Sequence, residues 1–337
     1  MTANPETGST TAKIPMTINK VVVGVDIWEA NVEAVRQRFP EIDIVLEPDA
    51  GKVVDQLADA DAYTGFRLSA EQLDAAPRLK WVHSLSAGVE QWLDSGIDER
   101  NLLLTNSSGV HATNISEHVF AMMLAFARQL PLLLEAQQRH KWRDNETFDE
   151  HVFELDCQKL IIVGTGAIGA AVALRAKAFN MTTVGVRRNP TRETVPNIDE
   201  QVSIEEMHSH LGDADHVVIC LPMTAETKGL FNAEVIAAMK PGAHIFNIGR
   251  GGIIDQDALI DALRSGHIGG AGLDVTTPEP LPEDSPLWDL PNVIITAHTS
   301  GNTPKYGERA LSLFGDILER LRDGREPINV VDPTAGY

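Results

Sequence analysis

Gly164-Thr165-Gly166-Ala167-Ile168-Gly169 follows the β-branched run Leu160–Val163 and precedes the apolar, alanine-rich segment Ala170–Phe179. A GxGxxG sequence in this setting predicts a strand, a tight turn and a helix. The first glycine permits the turn, the second lets the backbone approach a pyrophosphate, and the third lets the helix pack on the strand. Since free N–H groups at the start of that helix attract phosphate, we expect the whole stretch to contact a dinucleotide. The alternative is a strand–helix turn without a ligand.

Short apolar runs alternate with amphipathic segments from this stretch to the end of the chain. The predicted strands are Leu160–Val163, Thr182–Val186, His216–Leu221, His244–Ile248, Gly270–Val275 and Val293–Thr296. Six strands with intervening helices are typical of a complete dinucleotide-binding fold. A further amphipathic stretch, Lys305–Leu321, predicts a C-terminal helix.

The first half of the chain shows a second alternation. Its predicted strands are Val21–Val25, Asp43–Leu46, Asp61–Phe66, Lys80–Leu85 and Asn101–Thr105, with helices at Trp28–Phe39, Val53–Ala58 and Ala70–Ala75. This order predicts an α/β protein with two doubly wound parallel sheets. A long helix is predicted between them, from about Ile115 to His140, with a kink at Pro131.

Composition limits the possible functions. The net charge of −20 would repel phosphate backbones, so we expect no nucleic-acid partner. Such acidity is compatible with a high-salt cytoplasm or with solubility alone. No apolar run reaches the roughly 18 residues of a membrane helix, and we expect no membrane partner. Cys157 and Cys220 form no CxxC pair, which favours a reducing cytoplasm and argues against thiolate metal sites.

The strand after the glycine stretch ends in Arg187 and Arg188. At this distance, proteins that bind NAD usually present a carboxylate to the ribose hydroxyls. A carboxylate would repel a 2′-phosphate, whereas a guanidinium pairs with it. We therefore predict a preference for NADP(H), with NAD(H) possible. The alternative is that both arginines are solvated at a strand end.

Three polar residues follow later strands of the same half. Arg250 follows a strand in the stretch NIGRGG, Glu279 lies on a proline-bounded loop after another, and His298 ends the last strand. Ligands of open α/β sheets bind beyond the carboxyl ends of the strands, so these side chains could converge there. Each could instead be an ordinary surface residue.

The three residue types match the needs of ketone reduction. Hydride delivery to a carbonyl carbon builds negative charge on its oxygen, and a histidine such as His298 can supply the proton. A carboxylate behind the imidazole, here Glu279, fixes its tautomer and favours the charged form. Arg250 offers a fork to a substrate carboxylate and can polarise the carbonyl. We predict these three as the catalytic residues.

The chain resembles the D-isomer-specific 2-hydroxyacid dehydrogenase family over nearly all of residues 21–331. The matching stretches are GTGAIG at Gly164, LPMTAETKGL at Leu221, NIGRGGIID at Asn247, GLDVTTPEPLPEDSPLW at Gly272 and NVIITAHTSG at Asn292. Together and in this order they are specific. The resemblance implies reduction of a small 2-keto acid to a D-2-hydroxy acid, without identifying which acid. The main departure is Arg187, where many members have Asp.

The resemblance also implies further site residues. Asp274 would lie beside the nicotinamide carboxamide, and Ser86-Ala87-Gly88-Val89 would receive the substrate carboxylate through backbone N–H groups. The remaining cofactor contacts that it implies are Leu221, Pro222, Thr227, Ile248, Gly249 and Gly301.

The resemblance further implies a discontinuous substrate domain. It comprises residues 19–110 and 300–337 after a flexible tail, 1–18, and residues 111–299 form the inserted dinucleotide-binding domain. The substrate domain is expected to be flavodoxin-like and the inserted domain to have a Rossmann fold. The long helix near Ile115–His140 is expected to form a homodimer interface.

Two alternative functions make different demands on the sequence. A non-enzymatic, NAD(H)-sensing corepressor shares the fold and the three polar residues of this family, and turnover of 2-keto acids would distinguish the two. A short-chain alcohol dehydrogenase needs a Tyr followed four residues later by Lys, but Arg67 follows Tyr63 and Ala310 follows Tyr306 at that spacing. His111 and His118 have no further ligands at suitable spacing, so we predict no metal site.

Overall fold

A computed structural model of the protein describes residues 16–26, 28–142, 151–191 and 194–332. Most of the predicted tail, 1–18, therefore lies outside the described residues. The chain divides into two compact units. The first comprises the described residues within Met1–Val110 and Pro304–Tyr337, and the second comprises those within His111–Thr303.

The first unit is built on a five-stranded, wholly parallel sheet. Its strands are β1 (Lys20–Val23), β2 (Asp43–Leu46), β3 (Ala62–Gly65), β4 (Trp81–Ser84) and β5 (Leu103–Asn106), in the order β2-β1-β3-β4-β5. Its helices are α1 (Glu29–Arg38), α2 (Val53–Leu57), α3 (Ala70–Asp74), α4 (Glu90–Leu93) and, late in the chain, α11 (Tyr306–Arg322). This strand order is that of flavodoxin-like folds, as expected.

Both faces of this sheet are covered, because its strands are apolar on both sides. On one face Trp81 stacks on Phe314 of α11, with ring centroids 4.8 Å apart and an interplanar angle of 3°. On the other, Tyr63 and Trp92 pack edge to face at 6.1 Å. The late helix α11 therefore completes the core of the first unit.

The second unit holds a seven-stranded parallel sheet. Its strands are β6 (Lys159–Val163), β7 (Thr182–Val186), β8 (Glu200–Val202), β9 (His216–Ile219), β10 (Ala243–Asn247), β11 (Ile268–Leu273) and β12 (Val293–Ile295). Their order is β12-β11-β10-β9-β6-β7-β8, so the direction of winding reverses between β6 and β9. The helices are α5 (Ala112–Ala127), α6 (Leu130–Gln138), α7 (Ala167–Ala178), α8 (Ile204–Leu211), α9 (Ala233–Ala237) and α10 (Gln256–Arg264).

Alternate residues of β6 enter different cores. Ile161 and Val163 pack into the cluster on one face, and Leu160 and Ile162 into the cluster on the other. Because successive side chains of a strand point to opposite faces, a strand buried on both sides must be continuously apolar. The predicted doubly wound fold is confirmed in both units.

Two details differ from the predictions. The sheet of the second unit has a seventh strand, β8, which is short and polar and lies at the edge, so it has no apolar pattern to reveal it. The predicted long helix is broken into α5 and α6. The break falls at Gln129, which has a left-handed backbone (φ 52°), and Pro131 lies in the first turn of α6, where proline is tolerated.

Within the described residues, no single helix is both long and apolar enough to span a membrane. Helices α5 and α6 meet at a bend of 69° and satisfy the criteria of length and composition only as a pair.

Candidate active site

The glycine stretch lies at the carboxyl end of β6, where the winding of the sheet reverses. Gly164 has φ 99°, and a side chain there would meet the carbonyl oxygen of Cys220 at 2.8 Å. A Cβ on Gly169 would lie 2.1 Å from the Gly164 carbonyl oxygen, so this glycine permits the close packing of α7 on the strand. A Cβ on Gly166, by contrast, would meet nothing within 4 Å. The turn therefore leaves open space where a pyrophosphate would approach, and the residues fit a dinucleotide.

The neighbouring strand supplies the other wall of this crevice. Leu221 and Pro222 follow β9, and a Cβ on Gly249 would lie 2.5 Å from the Leu221 carbonyl oxygen. The Thr227 hydroxyl donates to the Pro222 carbonyl oxygen at 2.7 Å and accepts from the Thr224 N–H at 2.8 Å. Thr227 is buried, and the hydrogen bonds of its hydroxyl hold together the loop that begins at Pro222.

The thiol of Cys220 lies in this crevice region but is chemically quiet. Burial raises the pKa of this thiol to about 12. It therefore stays protonated at neutral pH and is no nucleophile. Among the described residues, no group of three or more His, Cys, Asp or Glu side chains is placed to hold a metal ion.

The two arginines after β7 have different surroundings. The backbone N–H of Arg187 donates to the Val202 carbonyl oxygen of β8 at 3.0 Å, and the residue is half-buried. Arg188 is exposed, and its guanidinium pairs with Glu226 at 2.8 Å. Edge strand β8 therefore fixes the backbone of Arg187 at the end of β7.

Glu279 and His298 meet directly. The Nδ1 atom of His298 lies 2.9 Å from Oε2 of Glu279, and the two side chains are 53% and 37% exposed. An ion pair this exposed contributes at most about 1 kcal/mol to folding. A carboxylate at Nδ1 places the ring proton there, which leaves Nε2 free to exchange a proton with a ligand. The pair therefore contributes little to the stability of the fold, and a role in proton transfer explains it better.

The loop that carries Glu279 is held from within. Its other carboxylate oxygen, Oε1, accepts from the Thr276 N–H at 3.1 Å, and the Thr276 hydroxyl donates to the Pro278 carbonyl oxygen at 3.0 Å. The side chain of Gln256, at the start of α10, accepts from the Thr277 N–H at 3.0 Å. These bonds fix the direction in which Glu279 presents its carboxylate.

The turn that carries His298 has an unusual backbone. Both Ala297 (φ 48°) and His298 (φ 56°) are left-handed, a conformation that costs non-glycine residues about 1–2 kcal/mol each. The His298 N–H donates to the Asp274 carbonyl oxygen at 2.6 Å. The fold therefore holds this histidine in a conformation that its own preferences disfavour.

Asp274 organises the same turn through its buried carboxylate. Oδ1 accepts from the Thr296 hydroxyl at 2.7 Å and from the Thr299 N–H at 2.9 Å, and Oδ2 accepts from the Ser300 hydroxyl. His118 of α5 also contacts this group, with Nε2 2.9 Å from the Thr296 hydroxyl. The predicted contact of Asp274 with a nicotinamide carboxamide stays a prediction. The structure adds that Asp274 is the centre of the His298 turn.

Arg250 begins the loop beside the Glu279 loop. The buried side chain of Asn247 accepts from the Gly249 N–H and donates to the Arg250 carbonyl oxygen, both at 3.0 Å. A Cβ on Gly251 would lie 1.9 Å from the Thr276 carbonyl oxygen, so a glycine is needed for the two loops to touch. The three predicted residues thus lie on touching or hydrogen-bonded loops at one edge of the sheet. Ile248 is buried after β10, and Gly301 follows the His298 turn.

The predicted substrate loop, Ser86–Val89, follows β4 in the first unit. The carbonyl oxygens of residues 85–87 all accept hydrogen bonds, from the Tyr306 hydroxyl (2.5 Å), the Ser107 N–H (3.1 Å) and the Asn106 amide (2.8 Å) respectively. Within the part of the chain that the structure describes, nothing accepts a hydrogen bond from the N–H groups of residues 86–88. These three successive N–H groups are therefore available to bind an anion.

Several positioning residues were not predicted. Asn247, Gln256 and Thr296 carry no pattern of their own, and their roles depend on contacts between loops that are distant in sequence. The contact between the ring of His118 and the Thr296 hydroxyl was not predicted either. Of these residues, only Thr296 has a position in the sequence that suggests a role in the site, because it lies two residues before His298.

Comparison with known proteins places these features in a family. The family model described as "D-isomer specific 2-hydroxyacid dehydrogenase, NAD binding domain" matches residues 120–300. Glyoxylate/hydroxypyruvate reductase B of Pectobacterium atrosepticum is 32% identical over 312 residues, which span 91% of this chain and 97% of that protein.

Solved structures show the same similarity. A D-isomer-specific 2-hydroxyacid dehydrogenase from Xanthobacter autotrophicus, in complex with NADPH and MES, is 28% identical with a TM-score of 0.80. An NADPH-dependent glyoxylate/hydroxypyruvate reductase from Sinorhizobium meliloti, in complex with NADP and sulfate, is 28% identical with a TM-score of 0.79. Each alignment covers 95% of this chain and 100% of the other.

Proposed function

The chain belongs to the D-isomer-specific 2-hydroxyacid dehydrogenase family and is an NAD(P)-dependent enzyme, and we propose that it reduces a 2-keto acid to a D-2-hydroxy acid. The observation that carries this proposal is the pair formed by His298 and Glu279, 2.9 Å apart at the carboxyl edge of a dinucleotide-binding sheet. The D configuration of the product rests on the family alone.

The proposed chemistry divides among three side chains. When bound, the reduced nicotinamide supplies the hydride. His298 donates a proton from Nε2 to the ketone oxygen as negative charge develops there. Glu279, at Nδ1, fixes the tautomer of the ring and stabilises the imidazolium form that must precede donation. Arg250 pairs with the substrate carboxylate and polarises the carbonyl.

The substrate carboxylate also has a proposed partner in the first unit. The N–H groups of residues 86–88 have no acceptor among the described residues, and the carbonyl oxygens of residues 85–87 are tied back into the core. A carboxylate would satisfy these N–H groups at little cost, because the loop is already fixed. We propose Ser86–Val89 as the site that receives the carboxylate.

The cofactor site is proposed to comprise the glycine stretch, Leu221, Pro222, Ile248, Gly249, Asp274 and Gly301. Thr227 would act by holding its loop closed. Arg187 and Arg188 are proposed to contact the 2′-phosphate of NADP(H), which is supported by the position of Arg187 directly after β7, where proteins that bind NAD usually have a carboxylate. We therefore expect kcat/KM to favour NADPH over NADH by at least about tenfold, and Arg187→Asp to remove this preference. A strong preference of the unaltered enzyme for NADH would contradict this part of the proposal.

A direct assay tests the proposed reaction. Purified protein with NADPH and a panel of 2-keto acids should oxidise the cofactor in step with formation of the 2-hydroxy acid, and chiral chromatography should identify the D product. Glyoxylate, whose product is achiral, would be scored by rate alone. Negligible turnover with every acid, together with retained cofactor binding, would refute the proposed reaction and favour a binding protein that responds to the dinucleotide.

We also propose a cytoplasmic homodimer that associates through α5 and α6, the helices near Ile115–His140. Leu130 and Leu134 of α6 are exposed, as is Leu174 on α7, which supports an apolar surface for a second copy. Light scattering should give twice the mass of the chain, and Leu134→Glu should shift the protein toward the monomer. An unaltered protein that is monomeric at all concentrations would contradict the proposal.

A further inference from the structure

A chain of buried hydrogen bonds links β4 to β5 and to the residue that follows β5. The Trp81 Nε1–H donates to the Thr105 hydroxyl at 2.9 Å, and Nδ1 of His83 lies 2.8 Å from the same hydroxyl. Nε2 of His83 lies 3.1 Å from the Ser107 hydroxyl, which donates to the Ser84 carbonyl oxygen at 3.0 Å. All five residues are fully buried, and we call them the His83 network.

The two ends of the His83 network fix one neutral tautomer of the imidazole. The indole N–H of Trp81 can only donate, so the Thr105 oxygen accepts it and the Thr105 proton is directed at Nδ1 of His83. The Ser84 carbonyl oxygen can only accept, so Ser107 donates its one proton there and accepts from the Nε2–H of the ring. Every donor of the network thus has an acceptor when Nε2 is protonated and Nδ1 is not.

His83 makes two connections that an apolar residue could not make. It is paired in register with Thr105, and its ring packs against Phe314 of α11, with centroids 5.7 Å apart. Burial lowers the pKa of this imidazole to about 3, so the ring is neutral at physiological pH. An apolar side chain in its place would leave the buried hydroxyls of Thr105 and Ser107 each without one partner.

Ser107 connects the His83 network to the Ser86–Val89 loop. Its hydroxyl donates to the Ser84 carbonyl oxygen at the end of β4, and its backbone N–H donates to the Ser86 carbonyl oxygen at 3.1 Å. The Ser86 carbonyl oxygen and the N–H of residue 87 belong to one planar peptide group. Ser107 therefore also sets the direction of an N–H group that is available to bind an anion.

We propose that His83 is a positioning residue of the substrate site, which acts through Ser107 to fix the N–H groups that receive the substrate carboxylate. This rests on the proposed function, because it assumes that the Ser86–Val89 loop binds that carboxylate. A loop that is already fixed binds its ligand without first losing conformational freedom. The carboxylate is held alike in the bound substrate and in the transition state, so a looser loop raises KM and leaves kcat nearly unchanged.

Replacement of His83 tests this with NADPH and the 2-keto acid that the unaltered enzyme reduces fastest. His83→Phe keeps a ring and removes both hydrogen bonds of the imidazole. We expect it to raise KM about fivefold to tenfold, the scale of one net hydrogen bond, with kcat and the Kd for NADPH within about twofold. The Ki of oxamate, an unreactive carboxylate measured as a competitive inhibitor, should rise by the same factor.

Two amide variants separate the two ends of the His83 network. The amide of His83→Asn reaches only the position of Nδ1, beside Thr105, whereas that of His83→Gln reaches the position of Nε2, beside Ser107. His83→Asn should therefore raise KM as His83→Phe does, and His83→Gln should keep KM within about twofold of that of the unaltered enzyme. Both variants retain a polar group in the core, so they test the proposal even if His83→Phe does not fold.

A double-mutant cycle tests whether His83 acts through Ser107. Ser107→Ala removes the hydroxyl but keeps the N–H that binds the Ser86 carbonyl oxygen, and it should raise KM to a similar extent. If the two residues act as one chain, His83→Asn in the Ser107→Ala background should raise KM by less than about twofold more.

His216→Phe is the matched control. His216 is 1% exposed, against 0% for His83, and lies at the start of β9 in the second unit. Its replacement should leave KM and the Ki of oxamate within about twofold of those of the unaltered enzyme, whatever its effect on the midpoint of thermal unfolding.

The possible outcomes separate this inference from the proposed function. His83 variants that unfold at lower temperature but keep KM and the Ki of oxamate would show a role in folding only and overturn the inference. A fall in kcat with KM unchanged, or increases in KM that multiply in the double variant, would also overturn it. In each of these cases the reaction itself stands. If the unaltered enzyme reduces no 2-keto acid, the proposed function fails and the inference with it.

Discussion

Histidines at the two edges of the seven-stranded sheet have opposite surroundings. At the carboxyl edge, His298 is half exposed, has a left-handed backbone and faces the carboxylate of Glu279 at 2.9 Å. At the amino edge, His216 and His244 are paired in register at the start of β9 and β10, with ring centroids 5.5 Å apart and Phe153 against both. Histidine is thus solvent-exposed beside a carboxylate at the carboxyl edge and packed among aromatic rings at the amino edge.

Burial settles the chemical state of the second pair. It lowers the pKa of His216 to about 3 and that of His244 to about 4, so both rings are neutral at physiological pH. In this sheet, the two histidines at the start of strands are packed among aromatic rings, whereas the histidine that follows the last strand lies at the edge where open α/β sheets bind ligands.

The largest expected effect follows from replacing the histidine at the carboxyl edge. His298→Asn keeps a residue that tolerates the left-handed backbone but removes the proton donor. We expect kcat to fall about 10³-fold, within the range of general acid catalysis, with the Kd for NADPH nearly unchanged. His244→Gln at the amino edge is the control and should keep kcat within about twofold. Equal losses in both variants would mean that the lower kcat does not come from the loss of a proton donor.

A smaller effect is expected from the carboxylate partner. Glu279→Gln keeps an acceptor for Nδ1 but removes the charge that stabilises the imidazolium form, so kcat/KM should fall about 10–100-fold. Glu283→Gln, on the same loop and exposed, should leave kcat/KM unchanged. If the two variants behave alike, the pairing with His298 has no role in turnover.

The smallest effect concerns stability at the amino edge. The pKa values of His216 and His244 are lower in the folded state than in the unfolded state. Below about pH 6.5 the unfolded chain therefore binds protons that the folded chain does not bind. The free energy of unfolding should then fall as pH drops from about 6.5 to 4, by up to about 1.4 kcal/mol per pH unit for each histidine.

Urea unfolding of the unaltered protein and of His244→Gln at pH 7, 6 and 5 measures this. The difference in unfolding free energy between the two should shift in favour of the variant as pH falls. An unchanged difference over that range would mean that His244 is protonated in the folded state too.

Much of the fold could be predicted, because buried parallel strands must be apolar on both faces. Asp43–Leu46 and Thr182–Val186 coincide with β2 and β7, and the glycine stretch lies where its spacing required. Edge strand β8 was missed, since Glu200 and Gln201 give it no apolar pattern. The helix break was placed at Pro131, although the left-handed Gln129 makes it.

The residue types of the site and the pairing of two of them could be predicted from the sequence. Glu279 and His298 were expected to pair because each follows a strand, and their hydrogen bond agrees with that expectation. The role of Asp274 at the centre of the His298 turn was not predictable. It depends on the left-handed backbone at Ala297 and His298, and no local preference of these residues indicates such a backbone.

Chemical rescue with imidazole tests directly whether His298 is the proton donor. His298→Gly suits the left-handed backbone, and the exposure of the native ring leaves imidazole a route to the vacated position. If His298 is the proton donor, this variant should bind NADPH but turn over a 2-keto acid about 10³-fold more slowly, and added imidazole should raise the rate saturably by at least about tenfold. Turnover of His298→Gly near that of the unaltered enzyme, with no response to imidazole, would show that His298 is not the proton donor.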